Sequence, residues 1–466
     1  MKNILIIISA IILYTNQLSA QYSIDIRSIS LGRTSVANSY NSGALNYNPA
    51  NIQFQKTNDD AAVYLNLVTN LGIRYNSDFA SIDFYDSYFG KDKNGNTKTL
   101  SLKQKDEIMK KAANGYTEFD AGINVFSAVV NSGIGSIGIA LTERASSNFL
   151  LDEDFLDIAL YGYKNNHTYD FSDLKMGASW VRQLNVTYAN TYQFKKKNNL
   201  IEEIAYGISV KPQFGMYYLG TGSNNLKVSI NDTDIARGTG SMNLLFSGTD
   251  KFKTINSFID PSGYGLGFDF GVNVHIKELL GLKNIKLGFS VTDIGSIKWK
   301  KNTYEYIYDG NFAVTDITSQ GQLDSLRDRI KGTKTPAGEF STALPTTIRL
   351  GVMYKLFGGL NGDSVSSPDD LEIANFSAEL IQGLNNNFGS STTPLIALGA
   401  ELNILNFISP RAGITIGGKE KFTVGFGIGI DLGSFDLDIG TNNISGMMNL
   451  KNTSRIAGGI SLKIKM

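Results

Sequence analysis

Few residues in this chain could do chemistry. The 466 residues contain no cysteine, so no disulfide framework, thiolate nucleophile, zinc-thiolate site or iron–sulfur cluster can form. His167 and His275 are the two histidines. That number argues against His-rich metal sites and most triads that need an imidazole base. Gly133-Ile134-Gly135-Ser136-Ile137-Gly138 matches the dinucleotide fingerprint, but such a loop must open a helix whose N-terminus holds the pyrophosphate. Here Ile139 and Leu141 continue a strand pattern, and the segment reads as a glycine-rich hairpin. Asp92, Asn94 and Asn96 have the opening spacing of a calcium loop, but Thr97 and Lys103 stand where Gly and Glu are required. His275 shares a strand face with Asp269, Asn273 and Lys277, which suits a polar lining better than a titrating site. The sequence therefore points to no enzyme, no metal site and no cofactor. Its 43 basic and 43 acidic residues cancel, which gives no whole-molecule attraction to nucleic acid.

An export signal opens the chain. Lys2 supplies the positive charge, Ile4 to Tyr14 the apolar run, and Leu18-Ser19-Ala20 the small-residue cleavage site before Gln21. Residues 1–20 thus read as a cleaved signal peptide. No later stretch approaches the roughly 18 apolar residues of a spanning helix, so the exported chain either stays in water or crosses a membrane as strands.

Strand periodicity decides between these. From Gly263 to Lys277 the even positions are Tyr264, Leu266, Phe268, Phe270, Val272, Val274 and Ile276, alternating with Gly, Asp, Asn, His and Lys. Ile204 to Tyr218 and Phe422 to Leu432 alternate in the same way. Shorter versions are Val63–Tyr75, Phe119–Val129, Ile137–Leu141, Trp180–Phe194, Ile285–Val291, Ile348–Leu356, Ile396–Ile404, Ala412–Ile416, Phe435–Ile439 and Ile456–Met466. Alternation this long is unusual in a soluble sandwich, whereas a transmembrane strand needs about 9 to 11 residues. Backbone groups in lipid must all be paired, so the strands must close. The fold class is an all-β transmembrane antiparallel barrel of about fourteen strands, taking the even number expected of bacterial single-chain barrels. Apolar positions face outer-membrane lipid and polar ones a lumen. Tyr75, Tyr88, Phe89, Tyr192, Phe194, Tyr217, Tyr218, Phe357 and Phe407 read as aromatic girdles near strand ends. Glycine is abundant and proline scarce, at 48 and 8 residues, and many of the glycines fall at inward positions.

The segments that do not alternate are 78–116, 151–177, 220–261, 299–344 and 358–370, which read as loops, with a short helix over Leu102 to Ala113. Ile29 to Ile52 does not alternate either. Small residues around Gly32 and the Asn48-Pro49 turn suit a compact plug, placed at residues 21–58, with the barrel taking 59–466.

Here the sequence resembles the FadL-like family of outer-membrane barrels, whose N-terminal plug has a small-residue segment and an Asn-Pro-Ala element, as at Asn48-Pro49-Ala50. Leu344-Pro345 followed by Arg349-Leu350-Gly351 and Tyr354 is similar to a late strand of those proteins. Asp293-Ile294-Gly295, Ile297 and Trp299 resemble an uncharacterised branch related to PorV-type proteins. The FadL side implies fourteen strands, an N-terminal hatch and passage of hydrophobic molecules such as long-chain fatty acids across the outer membrane of a Gram-negative bacterium. The PorV side implies a protein partner in export or surface attachment. Met466 stands where such barrels commonly end in an aromatic residue.

By parity the lumen carries Lys211, Asp269, Lys277, Arg349, Lys355, Arg411, Asp431, Asp436 and Asp438, a mixture of signs that predicts internal pairing. Arg182 falls on the apolar face, which places it near a strand end. For a fatty-acid-like ligand, Arg33 and Arg349 are the candidate cations, although an ion pair is the commoner use of such residues. The candidate plug and lumen residues are therefore Arg33, Asn48, Pro49, Ala50, His275 and Arg349.

Overall fold

The computed structural model describes residues 25–54, 62–91, 95–96, 98–194, 200–231, 235–248, 259–279, 281–314, 321, 332–358, 371–388, 390–404 and 407–466. The signal segment, the calcium-like positions Asp92 and Asn94, and 359–370 lie outside them.

Fourteen strands form the wall: β1 (Val63–Ser77), β2 (Tyr116–Ser132), β3 (Gly135–Leu150), β4 (Lys175–Gln193), β5 (Ile201–Asn224), β6 (Gly263–Leu279), β7 (Leu282–Trp299), β8 (Thr347–Gly358), β9 (Leu371–Gly383), β10 (Leu395–Leu402), β11 (Ile408–Gly417), β12 (Lys421–Asp431), β13 (Phe435–Thr441) and β14 (Arg455–Lys465). Each pairs antiparallel with the next, and β14 returns to β1, so the sheet has no edge. Closure is what a lipid environment demands, since an open edge would leave a row of unpaired backbone groups. The last residue takes part: Met466 N–H donates to the Val63 carbonyl at 2.9 Å, and Val63 N–H to the Met466 carbonyl at 3.1 Å.

Outward positions are apolar and exposed, as Leu266, Phe270, Val272, Leu350, Phe422, Phe426 and Ile428 are. Glu143 and Arg182 are a charged exception, side by side on β3 and β4, where the Trp180 indole also donates to Glu143 at 2.7 Å. The strand absent from the alternating segments of the sequence is β9. Its inward Asn375, Ser377 and Glu379 alternate with outward Phe376 and Leu380, but the ladder slips near Glu372, where Ile373 turns outward beside Phe376. That local slip hides the period.

One mouth of the barrel carries short turns, such as Gly133-Ile134, which joins β2 to β3 as a hairpin. The other carries a cap built from loops. Helices Ile82–Tyr88, Leu102–Ala112 and Glu153–Tyr161 share a small core of Phe84, Tyr88, Ile108, Ala112, Leu156 and Leu160. Beside them a four-stranded sheet joins His167–Asp170, Lys227–Ile230, Ala236–Thr239 and Phe312–Val314 around Tyr169, Ile230, Ala236 and Val314. Tyr88, expected in a girdle, lies in this cap instead.

Residues 25–54 fill the lumen and are nearly all buried. A short helix, Ile26–Ser30, is followed by a turn at Gly32 and Arg33 and by two 3-10 turns, Asn41–Ala44 and Pro49–Gln53. The inward glycines make the room. A Cβ on Gly413 would strike the backbone at Gly32, one on Gly288 the Val36 carbonyl, one on Gly271 the Asn48 amide, and one on Gly207 the Pro49 backbone. On Gly399 it would sit 2.6 Å from the Leu31 oxygen.

Candidate functional site

The lumen segment is held by charge as well as by shape. Arg27 donates to both oxygens of Glu401, at 2.9 and 3.0 Å, and Arg33 pairs with Glu420. The Glu379 carboxylate accepts from the backbone N–H groups of Ser35 and Val36 at 2.5 and 2.8 Å, and from Arg349 at 2.6 Å. Arg349 also lies over the Tyr47 ring, 5.1 Å from its centroid. Wall residues pair among themselves around this segment, as Arg74 does with Glu118 and Asp120 at 2.5 Å, and Arg411 with Asp438 at 2.5 Å. Buried charges require such partners, because an unpaired one carries a desolvation penalty of several kcal/mol.

Five of the six residues singled out in the sequence meet here. Arg33 and Arg349 brace the same turn. The Asn48 side chain accepts from the Ala50 N–H at 3.1 Å, capping the turn that Pro49 starts, and donates to the Val36 carbonyl at 2.8 Å. His275 stands apart, near the short-turn end, with Nδ1 3.4 Å from Glu202 and 3.7 Å from Glu203. Of the charges placed in the lumen by parity, Lys277 is exposed at that end, and Asp431 and Asp436 both pair with Lys465.

Toward the cap the lumen opens into a cavity of about 390 Å3. Two bulges shape it. In β7, Phe268 pairs with Ile294 and Phe270 with Val291, so Thr292 and Asp293 together oppose Asp269. Asp293 takes a left-handed φ of 58°, and the inward parity passes from Ser290 and Thr292 to Ile297 and Trp299. In β5 the register slips between its pairings of Gly215 with Val181 and of Tyr217 with Trp180, which sends Tyr218 inward while Tyr217 stays beside Trp180. Tyr218 is thus a cavity residue and not the girdle residue that strict alternation implies.

The result is an aromatic wall. Tyr218 lies 5.3 Å from Trp299, 5.4 Å from Phe340 and 6.2 Å from Phe388, centroid to centroid. The indole is seated where Gly215 and Gly263 carry no side chain, and its N–H donates to Thr342 Oγ1 at 2.9 Å. Leu344 and Pro345 close one side. The facing wall is polar, with Thr142, Arg144, Gln183, Gln213 and Asp293. Beneath it Lys211 bridges Asp269 at 2.6 Å and Asp293 at 2.9 Å, and Arg144 lies 3.9 Å from Asp293.

Both late motifs of the sequence therefore line this cavity: the Asp293-to-Trp299 run and Leu344-Pro345. The convergence of Arg144, Tyr218 and Phe388 on them is set by the bulges and by two loops, and no linear spacing carries it. Among the described residues no group of His, Asp and Glu is arranged to hold a metal ion. The arrangement can enclose a ring-bearing or chain-like apolar molecule and offer it polar contacts on one side.

A family model described as "Family of unknown function (DUF5723)" matches residues 49–442. No curated protein matches the sequence. Among solved structures, the deltaS2S3 mutant of the TodX monoaromatic hydrocarbon channel is 12% identical, with 96% of this chain and 99% of that one covered and a TM-score of 0.50. The Pseudomonas putida toluene transporter TodX is 12% identical, with 97% and 100% covered and a TM-score of 0.47. A Pseudomonas aeruginosa FadL homologue is 10% identical, with 96% and 97% covered and a TM-score of 0.42. At such identities the likeness is one of fold alone, the antiparallel barrel fold of the TodX channel structure.

Proposed function

The chain belongs to DUF5723, a family of unknown function, and we propose that it is an outer-membrane barrel that binds hydrophobic small molecules at its loop end and passes them inward, without catalysis. The observation that carries this reading is the aromatic-walled cavity at the loop end, above a lumen filled by residues 25–54. An open water-filled pore would not need that filling, and a structural barrel would not need the cavity. The TodX mutant structure, described as a monoaromatic hydrocarbon channel, adds weight at the level of architecture. The lumen segment acts as the hatch. The ion pairs of Arg27, Arg33 and Arg349 hold it shut, and movement of its Gly32–Arg33 turn opens the path. Export through a cleaved signal at residues 1–20 fits this location.

Uptake tests the reading. Cells lacking the protein should take up labelled apolar probes, both aromatic hydrocarbons and fatty acids, more slowly than cells carrying it. A Trp299→Arg variant, which places a charge in the aromatic wall, should not restore the rate. Unchanged uptake in the deletion, with no apolar molecule co-purifying in native mass spectrometry, would overturn the proposal.

A further inference from the structure

Building on that reading, we infer that the cavity selects an uncharged aromatic molecule carrying a hydrogen-bonding substituent, of the phenol class, over a plain hydrocarbon, a carboxylate or a long acyl chain.

The aromatic side sets the ring. Trp299 and Phe340 lie 26° from parallel with centroids 6.4 Å apart, and Tyr218 is tilted against both. Flat walls of this kind match the face and edge preferences of another ring better than they match a flexible chain. A volume of about 390 Å3 suits one substituted ring with room for water.

The polar side sets the substituent. The Arg144 side chain is 22% exposed and opens into the cavity, and its guanidinium makes no hydrogen bond to a described residue. Its distance of 3.9 Å to Asp293 is too long for one. A plain hydrocarbon would strip water from this guanidinium without replacing it, which penalises binding. A carboxylate meets a different obstacle. The local charges are Lys211 and Arg144 against Asp269 and Asp293, and they already cancel. An added anion would sit beside Asp293 in a low-dielectric cavity with no spare positive charge. A neutral hydroxyl accepts from Arg144 and donates to the Gln213 side-chain carbonyl, whose amide N–H already bonds Gln183 at 3.2 Å, and so completes the wall without changing its charge.

Three probes of one shape separate these cases: p-xylene, p-cresol and p-toluate, with laurate as the chain-like fourth. Calorimetry on the purified barrel in detergent at pH 7 should give p-cresol at least about tenfold tighter than p-xylene, the worth of one hydrogen bond to a charged donor, with p-toluate weaker still. Arg144→Leu should lower the p-cresol to p-xylene ratio by about tenfold or more. If Arg144→Leu does not fold, Arg144→Gln serves, and the wild-type ranking needs no variant. Tighter binding of p-xylene, p-toluate or laurate than of p-cresol overturns the inference and leaves hydrophobic cargo standing. No binding by any of the four overturns both.

Discussion

Gly32 and Gly413 face each other where the lumen segment meets the wall, and neither can be replaced cheaply. Gly32 has a left-handed φ of 63°, and a Cβ on it would lie 2.7 Å from Ile414 backbone atoms. A Gly413→Val substitution should therefore cost about 1–3 kcal/mol through overpacking, seen as a lower denaturation midpoint of the heat-modifiable band and faster proteolysis within 25–54. An unchanged midpoint and digestion pattern would count against tight seating. Lys211 gives a second case. Lys211→Met leaves Asp269 and Asp293 buried without their shared cation, and should destabilise the barrel by about 3–5 kcal/mol, whereas Lys211→Arg should recover most of the loss. A penalty below about 1 kcal/mol would mean the pair is solvated. What the sequence reveals at this scale follows locality. Asn48-Pro49 is legible because cap and turn lie within three residues. Trp299, Tyr218 and Arg144 were not legible as one site, because they come from three strands and two of them depend on a bulge.

Strand elements were readable wherever the pattern of two ran unbroken, as in β6 and β12, since lipid on one side and polar filling on the other impose it. β9 escaped because its ladder slips. Parity failed beyond the bulges in β5 and β7, where one extra residue reverses every later side chain. The cap elements behave as a separate layer, with their own small core. Phe84→Ala should cost about 3–5 kcal/mol locally and open the 78–115 loop to protease, while the barrel keeps its heat-modifiable migration. Loss of that migration would mean cap and barrel fold as one unit. The cap sheet also has an acid limit. The hydrogen bond from Lys227 holds the exposed Asp170 carboxyl down, to about 2, from an ordinary 3.8. Because the folded value is the lower one, the pair's contribution is complete above about pH 4 and is lost as pH falls toward 2. Hydrogen exchange at residues 227–230 should therefore be unchanged in protection factor between pH 7 and 5. Loss of protection in that range would show that another group controls the sheet.

For the molecule as a whole, the absence of cysteine makes orientation directly measurable. A single cysteine at Leu102, exposed on the cap, should react with a membrane-impermeant maleimide on intact cells, whereas one at Ile208, on the lipid-facing wall, should stay unlabelled until detergent is added. The reverse pattern would invert the topology or remove the protein from the membrane. The outward pair of Glu143 and Arg182, with Trp180 above them, also serves as a ruler. Charge on the lipid face is tolerated only at the boundary of the hydrocarbon. Down the same strand Tyr188 and Tyr192 form the opposite belt, and Tyr192 packs edge-on against Phe194. Arg182 to Tyr192 spans about 33 Å along the strand, or about 25 Å once tilted, which is one hydrocarbon thickness. Arg144 is the next residue above Glu143, so a molecule in the cavity rests level with the lipid headgroups and has yet to reach acyl-chain depth.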